Sequence, residues 1–141
     1  MSIQSTYETI QTINAGVEGI RTAPTQMPTA LNAADLPCAL AIPGGAHWDS
    51  QAISLKRQDR SWTVRVYVLP IAQGAGVDEG YQATLPILQA LGARYLGDLT
   101  LGGTVDHIDN LADGGVRGDL TFGSVAYHGF EFTFSVTEKG T

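Results

Sequence analysis

At 141 residues, with 43% hydrophobic and 16% charged side chains, the chain has the composition of one folded domain rather than of a disordered segment. Its 14 acidic against 8 basic residues, a formal charge of -6, exclude sequence-independent nucleic-acid binding through a Lys/Arg cluster. One cysteine excludes an intrachain disulfide and a Cys-rich zinc site, and 17 glycines argue for many tight turns and against an all-helical bundle.

Ile3, Tyr7, Ile10, Ile13, Val17 and Ile20 recur at helical spacing, with Gln4, Glu8, Gln11 and Glu18 on the other side, so residues 3–20 read as an amphipathic first helix. Gly16 and Gly19 weaken its last turn and predict fraying or close backbone packing. The same stretch has neither a basic leader region nor a continuous apolar one, and no apolar run approaches about 18 residues. A cytoplasmic origin is the expectation, without secretion or membrane insertion. Pro24, Pro28, Thr25, Thr29 and Asn32 mark an extended connector.

Pro37 and Pro43 bracket a short edge strand over residues 38–42, in which Cys38 reads as a small core residue, not a nucleophile. Residues 44–50 follow as a glycine-flanked turn exposing Trp48, then a second strand over 52–56, a turn at 58–61 and the strand 62–69. These form an expected three-stranded antiparallel meander. Trp62, Val64, Val66 and Val68 mark one face of its last strand, while Tyr81, Leu85, Leu88, Leu91 and Tyr95 mark the helical stripe that covers it. That helix has two possible starts. Asp78 as cap leaves Pro86 inside, whereas Thr84 as cap puts Pro86 harmlessly in the first turn, and the second is preferred. Gly97 supplies a left-handed stop.

Leu99, Leu101 and Val105 predict a strand bent at Gly102 and Gly103, followed by a long polar loop through Asp113. Val116, Leu120 and Phe122 read as another strand, residues 127–129 as a hairpin turn, and Phe130, Phe132, Phe134 and Val136 as the last strand. The sum is one α+β domain over 1–141: first helix 1–21, extended connector 22–37, sheet and second helix 38–141. It has a mostly antiparallel sheet of about five to six strands, with two main helices on one face.

Motifs that carry chemistry are sparse. Gly74, Gly76 and Gly80 follow a strand and precede a helix, but no Lys follows them and Asp78 and Glu79 stand where phosphate needs positive potential, so a connector is favoured over an anion cradle. Asp106, His107, Asp109, Asn110 and Asp113 concentrate metal-ligand types without the calcium-loop spacing or its closing glutamate. His47 and His128 sit beside glycines with no Ser or Cys constellation. The tripeptide Arg117, Gly118, Asp119 falls inside an expected strand. No catalytic residue, cofactor or metal is assigned. The interface candidates are His47, Trp48 and Asp49, and, in the crossover before the second helix, Gly74, Gly76, Asp78 and Glu79; residues 73–80 are expected to order against a neighbouring subunit.

In the order and length of its elements, from the helix 3–20 through the strand 62–69 and the helix 85–96 to the pairing closed by Tyr127, His128, Gly129 and Phe130, the chain resembles tail terminator proteins of long-tailed bacteriophages. The resemblance implies a virion protein, made in the host cytoplasm, that forms a ring, typically a hexamer. Such a ring caps the head-proximal end of the tail tube, stops tube polymerisation and joins the tail to the head-completion protein. An acidic lumen suits DNA that passes without being bound. The alternatives are another tail or neck subunit, or a small enzyme or ligand-binding domain using His47, His107 or His128 near Asp106 or Asp49.

Overall fold

The computed structural model describes residues 3–52, 55–71 and 77–139. Two helices, α1 (Ile3–Ala15) and α2 (Val77–Leu96), accompany five strands: β1 (Cys38–Ala52), β2 (Leu55–Pro70), β3 (His107–Asp113), β4 (Arg117–Phe122) and β5 (Val125–Lys139). All five strands form one antiparallel sheet in the order β1-β2-β5-β3, with β4 also on β5. The fold is α+β.

α1 is shorter than its periodicity predicts. It stops at Ala15, and the chain turns through Gly16 and through Gly19, whose φ of 94 only glycine adopts freely. A Cβ on Gly19 would also lie 2.8 Å from Cγ1 of Ile87, so the glycine lets this turn pack directly on α2. Val17 and Ile20 still enter the core alongside Ile10 and Ile13, but from the turn instead of from a helix. Gln11, expected to face water, is buried. Its Oε1 accepts the Ala41 N–H at 3.1 Å, and its Nε2 donates to the carbonyls of Ala39 at 3.1 Å and Pro24 at 2.5 Å. Asn14 Nδ2 donates to the same Oε1 at 3.1 Å, and the Tyr95 hydroxyl donates to Asn14 Oδ1 at 2.5 Å. One buried hydrogen-bonded chain therefore ties α2, α1, the connector and the outer edge of β1, satisfying groups that would be costly to bury alone.

The expected meander is instead one long hairpin. Residues 44–50 and 58–61 are not turns but paired strand, with Ala46 opposite Arg60, His47 opposite Asp59 and Trp48 opposite Gln58. Gly44 and Gly45 absorb an irregularity in the register between Pro43 and Ala46, which is why the sequence looks like a turn there. A Cβ on Gly44 would run into the Ser61 hydroxyl, so the bulge needs a residue without one.

α2 starts at Val77, with Asp78 and Glu79 in its first turn, where carboxylates complement the helix dipole. Pro86 lies inside the helix, contrary to the preferred start at Thr84. The proline removes an N–H, but Gln82 and Pro86 are both exposed, so the unpaired carbonyl faces water. The buried stripe is Thr84, Ile87, Leu91 and Tyr95; Tyr81 and Leu85, expected in the core, are exposed. Gly97 ends the helix without a left-handed φ. The left-handed residues are Leu101, Gly102 and Gly103, in a turn that replaces the strand expected over 99–105. Asp98 holds that turn by accepting the Gly102 N–H at 2.8 Å, a bond that keeps its carboxyl below the usual range.

The expected polar loop before Asp113 is β3, and residues 127–129 are strand, not a turn. The β4–β5 turn is at Gly123 and Ser124, with Gly123 at φ 63. Gly129 sits mid-strand because a Cβ there would overlap the Val66 carbonyl. β5 is the axis of the sheet: β2 runs along one side from Tyr127 to Lys139, while β4 and then β3 take the other. Its phenylalanines 132 and 134 meet Tyr95, whose ring centroid is 5.0 Å from that of Phe134, Phe130 joins the same core, and both helices pack on this one face. Burial holds the Tyr95 phenol well above its ordinary pKa, which keeps it a donor to Asn14. On the opposite face Leu36, Cys38, Leu40, Tyr67, Leu120 and Tyr127 form a second, smaller core beneath the connector.

Gln11→Ala strands the Ala41 N–H, the Ala39 carbonyl and the Asn14 amide in the interior, so a loss of about 3 kcal/mol is expected in urea unfolding. Glu8→Ala, on the exposed side of the same helix, is expected within about 0.5 kcal/mol of the parent.

Candidate functional site

The interface candidates fall at two separate places. His47 and Trp48 lie on the outer half of β1, beyond the Gly44–Gly45 bulge, and both are exposed; Trp48 shows 61% of its surface to water. Asp49 is backbone-paired with Arg57 in the same stretch. Asp78 and Glu79 are exposed on the first turn of α2, while Gly74 and Gly76 lie outside the described residues. α2 begins over the early part of β5, where Gly80 packs on His128, whereas Trp48 shares a row with Gln58 and Glu138 near the end of that strand. The two groups thus stand roughly 30 Å apart along β5 and do not form one site.

The three histidines are distributed over β1, β3 and β5. His47, Asp59, Thr137 and His107 lie in one row across the sheet, with the Thr137 hydroxyl donating to Asp59 at 2.8 Å. His107 Nε2 is 3.8 Å from an Asp109 carboxylate oxygen, both side chains being about half exposed. His128 is buried beneath Gly80, and its Nε2 has no partner among the described residues. Among the described residues no three His, Cys, Asp or Glu side chains stand close enough together to hold a metal ion. The acidic run at 106–113 is spread along an edge strand, with an irregularity at Asn110, whose φ is 54.

Arg117 and Asp119 of the tripeptide face each other, Nε to Oδ1 at 2.9 Å and Nη2 to Oδ2 at 3.2 Å, and the guanidinium holds the Asp119 carboxyl below its usual range. Arg117 Nη1 also reaches Glu131 Oε1 at 2.7 Å, and Arg65 takes the other oxygen of Glu131 at 2.7 Å. This clasp joins β4, β5 and β2, so the arginines are engaged within the chain. Cys38 is buried in the smaller core, and burial pushes its thiol upward.

One surface was not anticipated. Beside its buried stripe, α2 presents Tyr81, Leu85 and Leu96 to water, the last 68% exposed. The stripe ends beside a groove of about 470 Å³ between α2 and β3, lined by Leu88, Gly92, Leu96, Leu111, Phe132 and Asp113 among others. The signal was in the sequence: α2 carries more apolar residues than one face of a helix buries. No helix among the described residues is long and apolar enough to cross a membrane. No family model matches the chain, and no curated protein matches its sequence.

Because Cys38 is enclosed and disfavoured as a thiolate, its reaction with an aromatic disulfide is expected to be at least about a hundredfold slower in the native protein than in denaturant. Comparable rates in the two conditions would place the thiol at the surface.

Proposed function

We propose that the chain is a structural virion subunit, a tail terminator that assembles as a ring, most simply a hexamer, on the head-proximal end of a long phage tail tube. The observation that carries this reading is the outer β1–β2 hairpin, an extended edge element that holds Trp48 in water at 61% exposure. A large aromatic on an edge strand is what a subunit contact uses as an anchor. The reading came from a resemblance, and the α+β class of the fold is the class that this resemblance implies. The remaining partners are the tail tube protein and the head-completion protein, with DNA passing through an acidic lumen that does not retain it.

The same hairpin also suits a tail tube subunit, and the two readings separate by stoichiometry. A terminator closes as a single ring and arrests tube growth; a tube subunit stacks without limit. Native mass spectrometry and multi-angle light scattering of the purified chain, alone and with tube protein, are expected to show one closed ring of defined copy number. A strict monomer at every concentration, with tube protein present as well, would sink the assignment.

A further inference from the structure

β1 lies at the end of the sheet order, and its first five residues, 38–42, are all apolar and carry no charge. Left open on an edge, such a segment pairs readily with another strand. No strand covers it. Among the described residues the one ladder contact on that side is a single parallel bridge between Thr22 and Cys38. The outward-facing backbone groups are instead taken one at a time. The Ala39 N–H donates to the Thr22 carbonyl at 3.0 Å, the Ala39 carbonyl accepts from Gln11 Nε2 at 3.1 Å, and the Ala41 N–H donates to Gln11 Oε1 at 3.1 Å. By alternation Cys38, Leu40 and Ile42 turn their groups towards β2. Pro43, the next residue to face outward, has no N–H to offer, and Pro37 bounds the segment at its other end. The cover is therefore light. It consists of one fully buried side chain and one carbonyl, anchored where Gln11 Nε2 also reaches the Pro24 carbonyl and the Thr22 hydroxyl reaches that of Asp35.

We infer that Gln11, with the start of the connector, is a displaceable guard on a latent strand-pairing site. Seated, it keeps the sheet from growing through residues 38–42; displaced, it uncovers an edge that takes the same segment of a second copy. The segment itself selects that occupant, because uncharged identical strands do not repel one another and every molecule brings one. A glutamine suits the position because its amide carries a donor and an acceptor, as a peptide group does, whereas an apolar side chain would leave the Ala39 carbonyl and the Ala41 N–H bare in the interior. The small side chains at 39 and 41 let α1 lie close enough for both bonds. This guard concerns the inner half of β1 alone. It does not depend on the ring reading, whose anchor lies beyond the bulge at Gly44 and Gly45.

In the full chain, Gln11→Leu keeps the bulk of the side chain and removes its bonds to β1. Leu91→Ala is the comparison, since it weakens the core from α2, which packs on β2 and β5. At urea concentrations that give both variants the same folded fraction, Gln11→Leu is expected to associate at about tenfold lower protein concentration than Leu91→Ala, with a rise in thioflavin T fluorescence as the sheet extends. Equal association of the two would overturn the guard, because loss of stability alone would then account for it. Hydrogen exchange on the parent decides the matter if Gln11→Leu does not fold. The Ala39 and Ala41 amides are expected to exchange at least about a hundredfold more slowly than in the unfolded chain. Exchange of either at the unfolded rate would overturn the guard, whether the parent forms a ring or stays a monomer.

Discussion

The side chain of Gln11 fixes how the layers of this fold meet. β1 is an edge strand, and an edge exposes backbone donors and acceptors that something must satisfy. Over its first half, Gln11 supplies an amide that behaves like a short piece of neighbouring strand, accepting from Ala41 and donating to Ala39, while the Thr22 carbonyl takes the Ala39 N–H at 3.0 Å. Small residues at 39 and 41 let α1 come close enough for this, and Asn14 passes the same chain of bonds to Tyr95 on α2. The interior position of these groups makes their bonds directional constraints on both helices. Past the bulge at Gly44 and Gly45 no described strand pairs with β1 on its outer side, and the edge becomes available.

Alternation and helical spacing made much of the architecture legible. The apolar faces of β2 and β5, the existence of both helices and the α+β class all follow from side-chain period, because a buried face must be apolar wherever it runs. What misled were residues whose meaning is tertiary. Gly44 and Gly129 look like turn markers, yet each is demanded by a neighbour, Ser61 or the Val66 carbonyl, that is distant in sequence. Pro86 looks like a helix boundary, but its defect falls on the water side, where it is tolerated. Gln11 looks like a surface residue because nothing local reveals that an unsatisfied strand edge lies above it.

The candidate site was legible only in part for a related reason. Trp48 stood out as an aromatic without an obvious core to join, and it is indeed exposed. The outer stripe of α2 is hidden because Tyr81 and Leu85 share a helical period with Leu91 and Tyr95, which are buried as expected, whereas in the first turns Thr84 and Ile87 take the buried face. Charge distribution adds a further layer that composition conceals. Arg65, Arg94 and Arg117 are engaged with carboxylates of their own chain, so the net figure of -6 does not describe a uniformly acidic surface.

The central position of β5 has a consequence for how the domain is made. Among the described strands it is the last in chain order and the only one bonded to both halves of the sheet. During vectorial synthesis the β1–β2 hairpin, both helices and the strands β3 and β4 emerge before the strand that joins them. Until then the inner edges of β2, β3 and β4 and the apolar face beneath α2 lack their native cover, so the nascent chain is a collection of local elements that becomes a domain late and all at once. The chain is in this way kept from presenting a finished surface to any neighbour until it is whole.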